Sequence, residues 1–208
     1  MPDVTVKAFA ELIHTPLYGQ LRILNEQKYP KQAPGVFKIQ YYRPALLAIR
    51  RYFQGGNNVA LLPADAQQIT GVGRQDHQRE NNFRAISSFR RGTQKDRPLT
   101  LHEQQTWELA LANVTLRCTP DMHFVEGNDL GIILFDCREQ QQEQEIIRTT
   151  IELVHHTLTK NGVQLPMRRV EYIHLNSDKV HRWNSCRQAT IKRATQTAAA
   201  IQTLWDSI

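Results

Sequence analysis

MHFVEGNDLGIILFD, residues Met122 to Asp136, is the stretch on which the fold turns. Two apolar arms, Met122 to Glu126 and Leu130 to Asp136, flank Gly127-Asn128-Asp129, which is turn chemistry, so the segment reads as a β-hairpin. Both arms are apolar on both faces, the pattern of strands covered from two sides. With Asn128-Asp129 as the turn, Asp121 stands across from Asp136 and both carboxylates share one face with His123 and Arg138. Directly opposed side chains in such a pair sit about 4.5–5.5 Å apart at Cβ.

Upstream, ELALANVTLRCTP alternates through Ala110, Ala112, Val114, Leu116 and Cys118, which predicts one strand. Downstream, Ile147, Ile151, Val154 and Leu158 recur at helical spacing, with Glu139, Glu143 and Glu145 early, Lys160 late and Asn161-Gly162 as a stop. RRVEYIHL is a further strand, closed by the turn-like Asn176 to Lys179. Ser185 and Gln188 fit a capping box opening a last helix along Ile191, Ala194, Ala198, Ile201 and Trp205. Before the hairpin the chain is helical. Two short helices are expected over Phe9 to Leu24, another over Tyr42 to Phe53 with Pro44 in its first turn, and another near Gln78 to Arg91 ended by Gly92. The expectation is an α/β (α+β) protein in one domain over 1–208: a basic helical part over 1–98, then a β-β-β-α-β-α core over 99–208.

Charge and cysteine content narrow the partners. Twenty-six Lys and Arg against 20 Asp and Glu give a net charge of +6, which favours a polyanion such as DNA or RNA. Cys118, Cys137 and Cys186 are too widely spaced for a CxxC pair or a zinc cluster. The start MPDVTVKAFAELIH has no secretory pattern, and no apolar run is long enough for a membrane span, so a cytoplasmic, prokaryotic-type protein without a membrane partner is expected.

Two facing carboxylates can share a divalent cation, polarise a phosphoryl oxygen and activate water. Asp121 and Asp136 are therefore candidate metal ligands and catalytic residues. The segment between Thr70 and Pro98 supplies cations for a phosphate backbone: Arg74, Arg79, Arg84, Arg90, Arg91, Lys95 and Arg97. Lys179 and Arg182, with His174 and His181, extend that set around the turn after the late strand.

Pro120-Asp121 ahead of the second strand, Asp136-Cys137-Arg138 ending the third, and the order of elements over Trp107 to Trp183 together resemble a degenerate PD-(D/E)XK, or restriction-endonuclease-like, nuclease core. That resemblance implies a sheet flanked by helices, Mg²⁺ on Asp121 and Asp136, Arg138 in the slot usually filled by lysine, and Glu80 as the helical acid. An arginine there can hold phosphate but stays protonated and cannot serve as a base. Either a nuclease or a nucleic-acid-binding derivative follows from it.

A reading from another class is a non-catalytic adaptor, a subunit of a multi-protein assembly that docks a protein partner on an exposed helix face. Arg148 and His155 share the Arg-x6-His spacing of HEPN ribonucleases, but that family is all-helical and Thr149 is not its usual polar follower. Thr70-Gly71-Val72-Gly73-Arg74 lacks the lysine and spacing of a phosphate-binding loop.

Overall fold

The computed structural model describes residues 2–29, 41–70 and 76–208. Six helices occur among them: α1 (Val6–His14), α2 (Leu17–Lys28), α3 (Arg43–Gln54), α4 (Asp76–Arg91), α5 (Gln144–Lys160) and α6 (Gln188–Asp206). Eight strands accompany them: β1 (Asp3–Thr5), β2 (Leu99–Leu101), β3 (Trp107–Leu111), β4 (Val114–Cys118), β5 (Met122–Glu126), β6 (Asp129–Asp136), β7 (Val170–His174) and β8 (Lys179–His181). They form a three-stranded sheet, β1-β4-β3, and a five-stranded sheet, β2-β5-β6-β7-β8. The chain has the mixed α/β class its sequence indicates.

The five-stranded sheet is buried on both sides, as the apolar arms of the hairpin require. Met122, Phe124, Ile133, Phe135 and Ile173 pack on one face against Ile49, Tyr52 and Phe53 of α3 and Ile86 and Phe89 of α4. Ile132, Leu134, Val170 and Tyr172 pack on the other, against Ile147, Ile151 and Val154 of α5, with α1, α6 and the small sheet behind. β5 runs antiparallel to β6, and α5 carries the chain across to β7, which lies parallel to β6. Trp107, Trp183 and Trp205 all pack against this second core.

Three expectations change. Ala110 to Cys118 is not one strand: the chain reverses at Ala112-Asn113, and β3 and β4 pair as a hairpin, Leu111 opposite Val114. β1 then adds to β4 in parallel, so this hairpin builds the small sheet, and β2 takes the place beside β5. The buried set changes parity across the turn, from Leu109 and Leu111 to Val114, Leu116 and Cys118, and the exposed Ala110 and Ala112 mimic an unbroken alternation, which is why the reversal is silent in the pattern. Secondly, the Met122–Asp136 hairpin turns at Gly127-Asn128, pairing Glu126 with Asp129, because Gly127 takes the left-handed conformation at φ 65°. Thirdly, α6 is capped at Arg187 without a side-chain bond, so Ser185 and Gln188 form no capping box.

Ala112 itself lies at φ 49°, a region costing a residue with a Cβ about 1–2 kcal/mol. Ala112→Gly relieves this and gives back part as unfolded-chain entropy. A net gain of about 0.5–1 kcal/mol is expected in urea denaturation, and a loss of stability would contradict the assignment of that strain.

Candidate functional site: a cleft at the end of β6

The register found here offsets the hairpin by two residues from the one expected. The paired stretch ends at Met122 opposite Ile133, and Asp121 lies just outside it, next to the end of β6 that carries Asp136. The Asp121 backbone N–H donates to the Ile133 carbonyl at 3.0 Å, one residue out of the hairpin register, so the ladder does not continue regularly through it. Both acids line a cleft of about 850 Å³ at the carboxyl end of β6, walled by α1, α2, α5 and the start of α3. Arg138 lines it too. A crevice beyond the carboxyl ends of parallel strands is where open α/β sheets place their ligands.

Each acid already has its partners. Asp121 Oδ2 accepts from Lys7 Nζ at 2.8 Å and from the Phe135 backbone N–H at 2.7 Å, while Lys7 also donates to the Phe135 carbonyl at 3.2 Å. Asp136, 4% exposed, is more fully committed. Its Oδ1 accepts from the Arg138 backbone N–H at 3.1 Å and from Nε at 2.8 Å, and its Oδ2 from Nη2 at 2.8 Å and Tyr172 Oη at 3.0 Å. Burial pushes the Asp136 carboxyl up, but the hydrogen bonds and charge of Arg138, helped by Tyr172, outweigh it and hold the group below its ordinary value. The Arg138 carbonyl is itself tied down, accepting at 2.9 Å from Nε2 of buried His174, whose Nδ1 meets Ser177 Oγ at 2.8 Å.

The fit to Mg²⁺ follows from that donor set. A metal ligand needs free lone pairs, and both oxygens of Asp136 already take two donors each, leaving Asp121 Oδ1 alone. Among the described residues no group of three or more His, Cys, Asp or Glu is arranged to hold a metal. These residues as arranged do not fit the ion, and no catalytic step is assigned through it. Glu80 is exposed on α4 and does not line the cleft, where its neighbour Asn81 stands instead.

The basic set divides. Arg74 lies outside the described residues. Arg84 pairs with Glu139 at 3.2 Å, which brings α4 beside the segment that follows Arg138. Arg91, two turns on, is exposed on the same face, and Lys179 is exposed at the start of β8. Arg79 pairs with Asp76 and Lys95 with Asp96, both at the surface, and Arg90 donates to the Pro63 carbonyl.

Arg97 and Arg182 serve the fold instead. Arg97 forks onto Glu126 (2.9 and 3.0 Å) and onto Glu171 (2.6 and 3.1 Å), and Arg182 reaches Glu171 at 2.8 Å. His174 and His181 are buried, so neither is placed to meet a phosphate. His123 stacks on Trp107 and bonds the Glu103 carbonyl, beside a separate cavity of about 420 Å³. Arg148 pairs with Glu152 and His155 bonds the Leu165 carbonyl, so the Arg-x6-His spacing is structural.

No family model matches this chain, and no curated protein matches it. Among the described residues no helix is long and apolar enough to cross a membrane.

Sequence reasoning missed Lys7 and Tyr172. Glu171 gave a usable sign, since VEYIH is buried throughout and a carboxylate inside such a strand demands a cationic partner. Nothing local marked Lys7, which meets Asp121 across 114 positions of chain.

Proposed function

We propose that this protein binds DNA or RNA at the cleft beyond β6, with the exposed α4 face carrying the neighbouring phosphates, and that it does so without cleaving through Asp121 and Asp136. The observation that supports this is the Arg138 clamp. Asp136, Tyr172 and the adjacent backbone fix the guanidinium in one orientation, while among the described residues Nη1 has no partner. A fixed guanidinium with an outward N–H pair is suited to a phosphate oxygen. The resemblance to a nuclease core and the net charge of +6 point the same way. Because the cleft cations are matched by acids, as Arg84 is by Glu139, the cleft contributes directed hydrogen bonds, and the long-range attraction comes from the exposed Arg91 and Lys179.

Fluorescence anisotropy over a salt series tests this. Binding should weaken linearly in log salt, and Arg91→Gln and Lys179→Gln should each lower the slope by about 1, one phosphate contact apiece. The oligonucleotide should remain intact with Mg²⁺ present. Absence of binding at low ionic strength, or Mg²⁺-dependent cleavage abolished by Asp136→Asn, would sink the reading.

A further inference from the structure

Resting on that function, we infer that the cleft receives a single unpaired nucleotide, at a strand end or extruded from a helix, with its base against the Tyr41–Tyr42 side and its phosphate on Lys7 and Arg138. Size comes first. A volume of about 850 Å³ belongs to the range of small-ligand pockets, about 300–1,000 Å³. A paired duplex presents its bases stacked inside two backbones, so only a nucleotide out of the stack reaches the floor of such a cleft.

Both cations of the cleft keep donors free of partners among the described residues. Lys7 carries three N–H bonds, and two are engaged, by Asp121 Oδ2 and the Phe135 carbonyl. Arg138 keeps its Nη1 pair. Two cations, each with donors to spare and each held by a carboxylate, form a phosphate seat whose side chains are ordered before the ligand arrives. Little side-chain entropy is then lost on binding.

The third part is the aromatic wall. Tyr41 and Tyr42 meet edge to face, with ring centroids 5.0 Å apart. The Tyr41 ring is fixed by its hydroxyl, which accepts from Asn81 Nδ2 at 2.7 Å and donates to the His77 carbonyl at 3.3 Å. That bond orients the Asn81 amide, and its Oδ1 has no partner among the described residues, leaving an acceptor for a base amino group. Anchored aromatics, one amide acceptor and two fixed cations are the complement of a base joined to a phosphate. A generic anion would leave the aromatics and Asn81 unused.

The test compares hairpins of equal stem, in DNA and in RNA, ending blunt or with one unpaired nucleotide, by anisotropy at fixed salt with the full chain. Stacking one base contributes about 1–3 kcal/mol, so the overhang should bind about five- to 150-fold tighter. Tyr41→Ala should remove that preference while blunt-end binding persists, and Tyr41→Phe, which keeps the ring, should restore most of it. Equal binding of blunt and overhanging hairpins by the wild type, or preference surviving in Tyr41→Ala, overturns the unpaired-nucleotide site alone. Failure to bind any hairpin overturns the nucleic-acid function with it.

Discussion

Replacing Arg97 by alanine is expected to cost about 3–5 kcal/mol of folding stability and to leave the salt slope of nucleic-acid binding where it was. The guanidinium, 13% exposed, is shared between Glu126 and Glu171, and Glu171 is fully buried in β7. Desolvation of Arg97 opposes its charge, but the paired hydrogen bonds from the two glutamates prevail and raise its pKa. Glu126 is lowered in turn, chiefly by its hydrogen bonds with Arg97. Without Arg97, Glu171 keeps among the described residues only Arg182, a long side chain half in solvent, and a buried carboxylate is left short of partners. The cost is that of an uncompensated buried charge, which exceeds the net value of an intact pair.

Two controls separate this from a general loss of packing. Arg97 also lies over the Phe124 ring, 5.1 Å from its centroid, and Phe124 in turn covers Gly131, whose missing side chain makes room for the ring. Arg97→Lys keeps charge and part of that stacking but cannot fork onto two carboxylates, so it should fall between wild type and alanine. Removing both charges, as in Arg97→Met with Glu171→Leu, should recover much of the loss, because no ion is then stranded. Urea denaturation at neutral pH measures all three. A loss under about 1 kcal/mol for Arg97→Ala would show that the network is solvated in solution.

Arg97 also marks where the sequence stops being informative. A count of cations in the 74–97 segment cannot tell which are turned inward, since that depends on Glu126 and Glu171, 29 and 74 positions away. Helices and strands were readable because their periodicity is local: the α4 stripe Phe83, Ile86, Phe89 and the two-faced apolar arms of β5 and β6 each sit within one short window. Turn placement was less so. Gly127, Asn128 and Asp129 all suit turns, and choosing between Gly127-Asn128 and Asn128-Asp129 needs the positive φ that only the structure supplies. Asp121 and Asp136 share one cleft because Asp121 Oδ2 accepts from the Phe135 N–H, immediately before Asp136. Their partners, Lys7 and Tyr172, arrive from β1-α1 and from β7, and the pairing of β1 with β4 leaves no mark in three residues of strand.

Asp136 is where fold and site meet, and Asp136→Asn is expected to lower stability by about 2–4 kcal/mol at neutral pH. The carboxylate accepts four hydrogen bonds, three of them from Arg138, and a bond of this kind to a charged group contributes about 1.5–3 kcal/mol net, so losing one or two accounts for the expected cost. An amide keeps the shape but presents one NH₂ toward donors, so at least one N–H faces another across the clamp. The pH dependence follows from the depressed folded pKa. The unfolded chain protonates first, at the ordinary value of 3.8, so the stability contributed by Asp136 is complete above that pH and falls away as pH drops through the lower folded value. The gap between wild type and Asp136→Asn should therefore be flat from about pH 7 to 5 and close below about pH 4. A gap that stayed fully open below about pH 4 would show that the Asp136 carboxylate does not set the clamp. In the same variant Arg138 loses the partner that orients it, so affinity for overhanging hairpins should drop more than affinity for blunt ones. Equal losses on both would place the guanidinium outside the nucleotide seat.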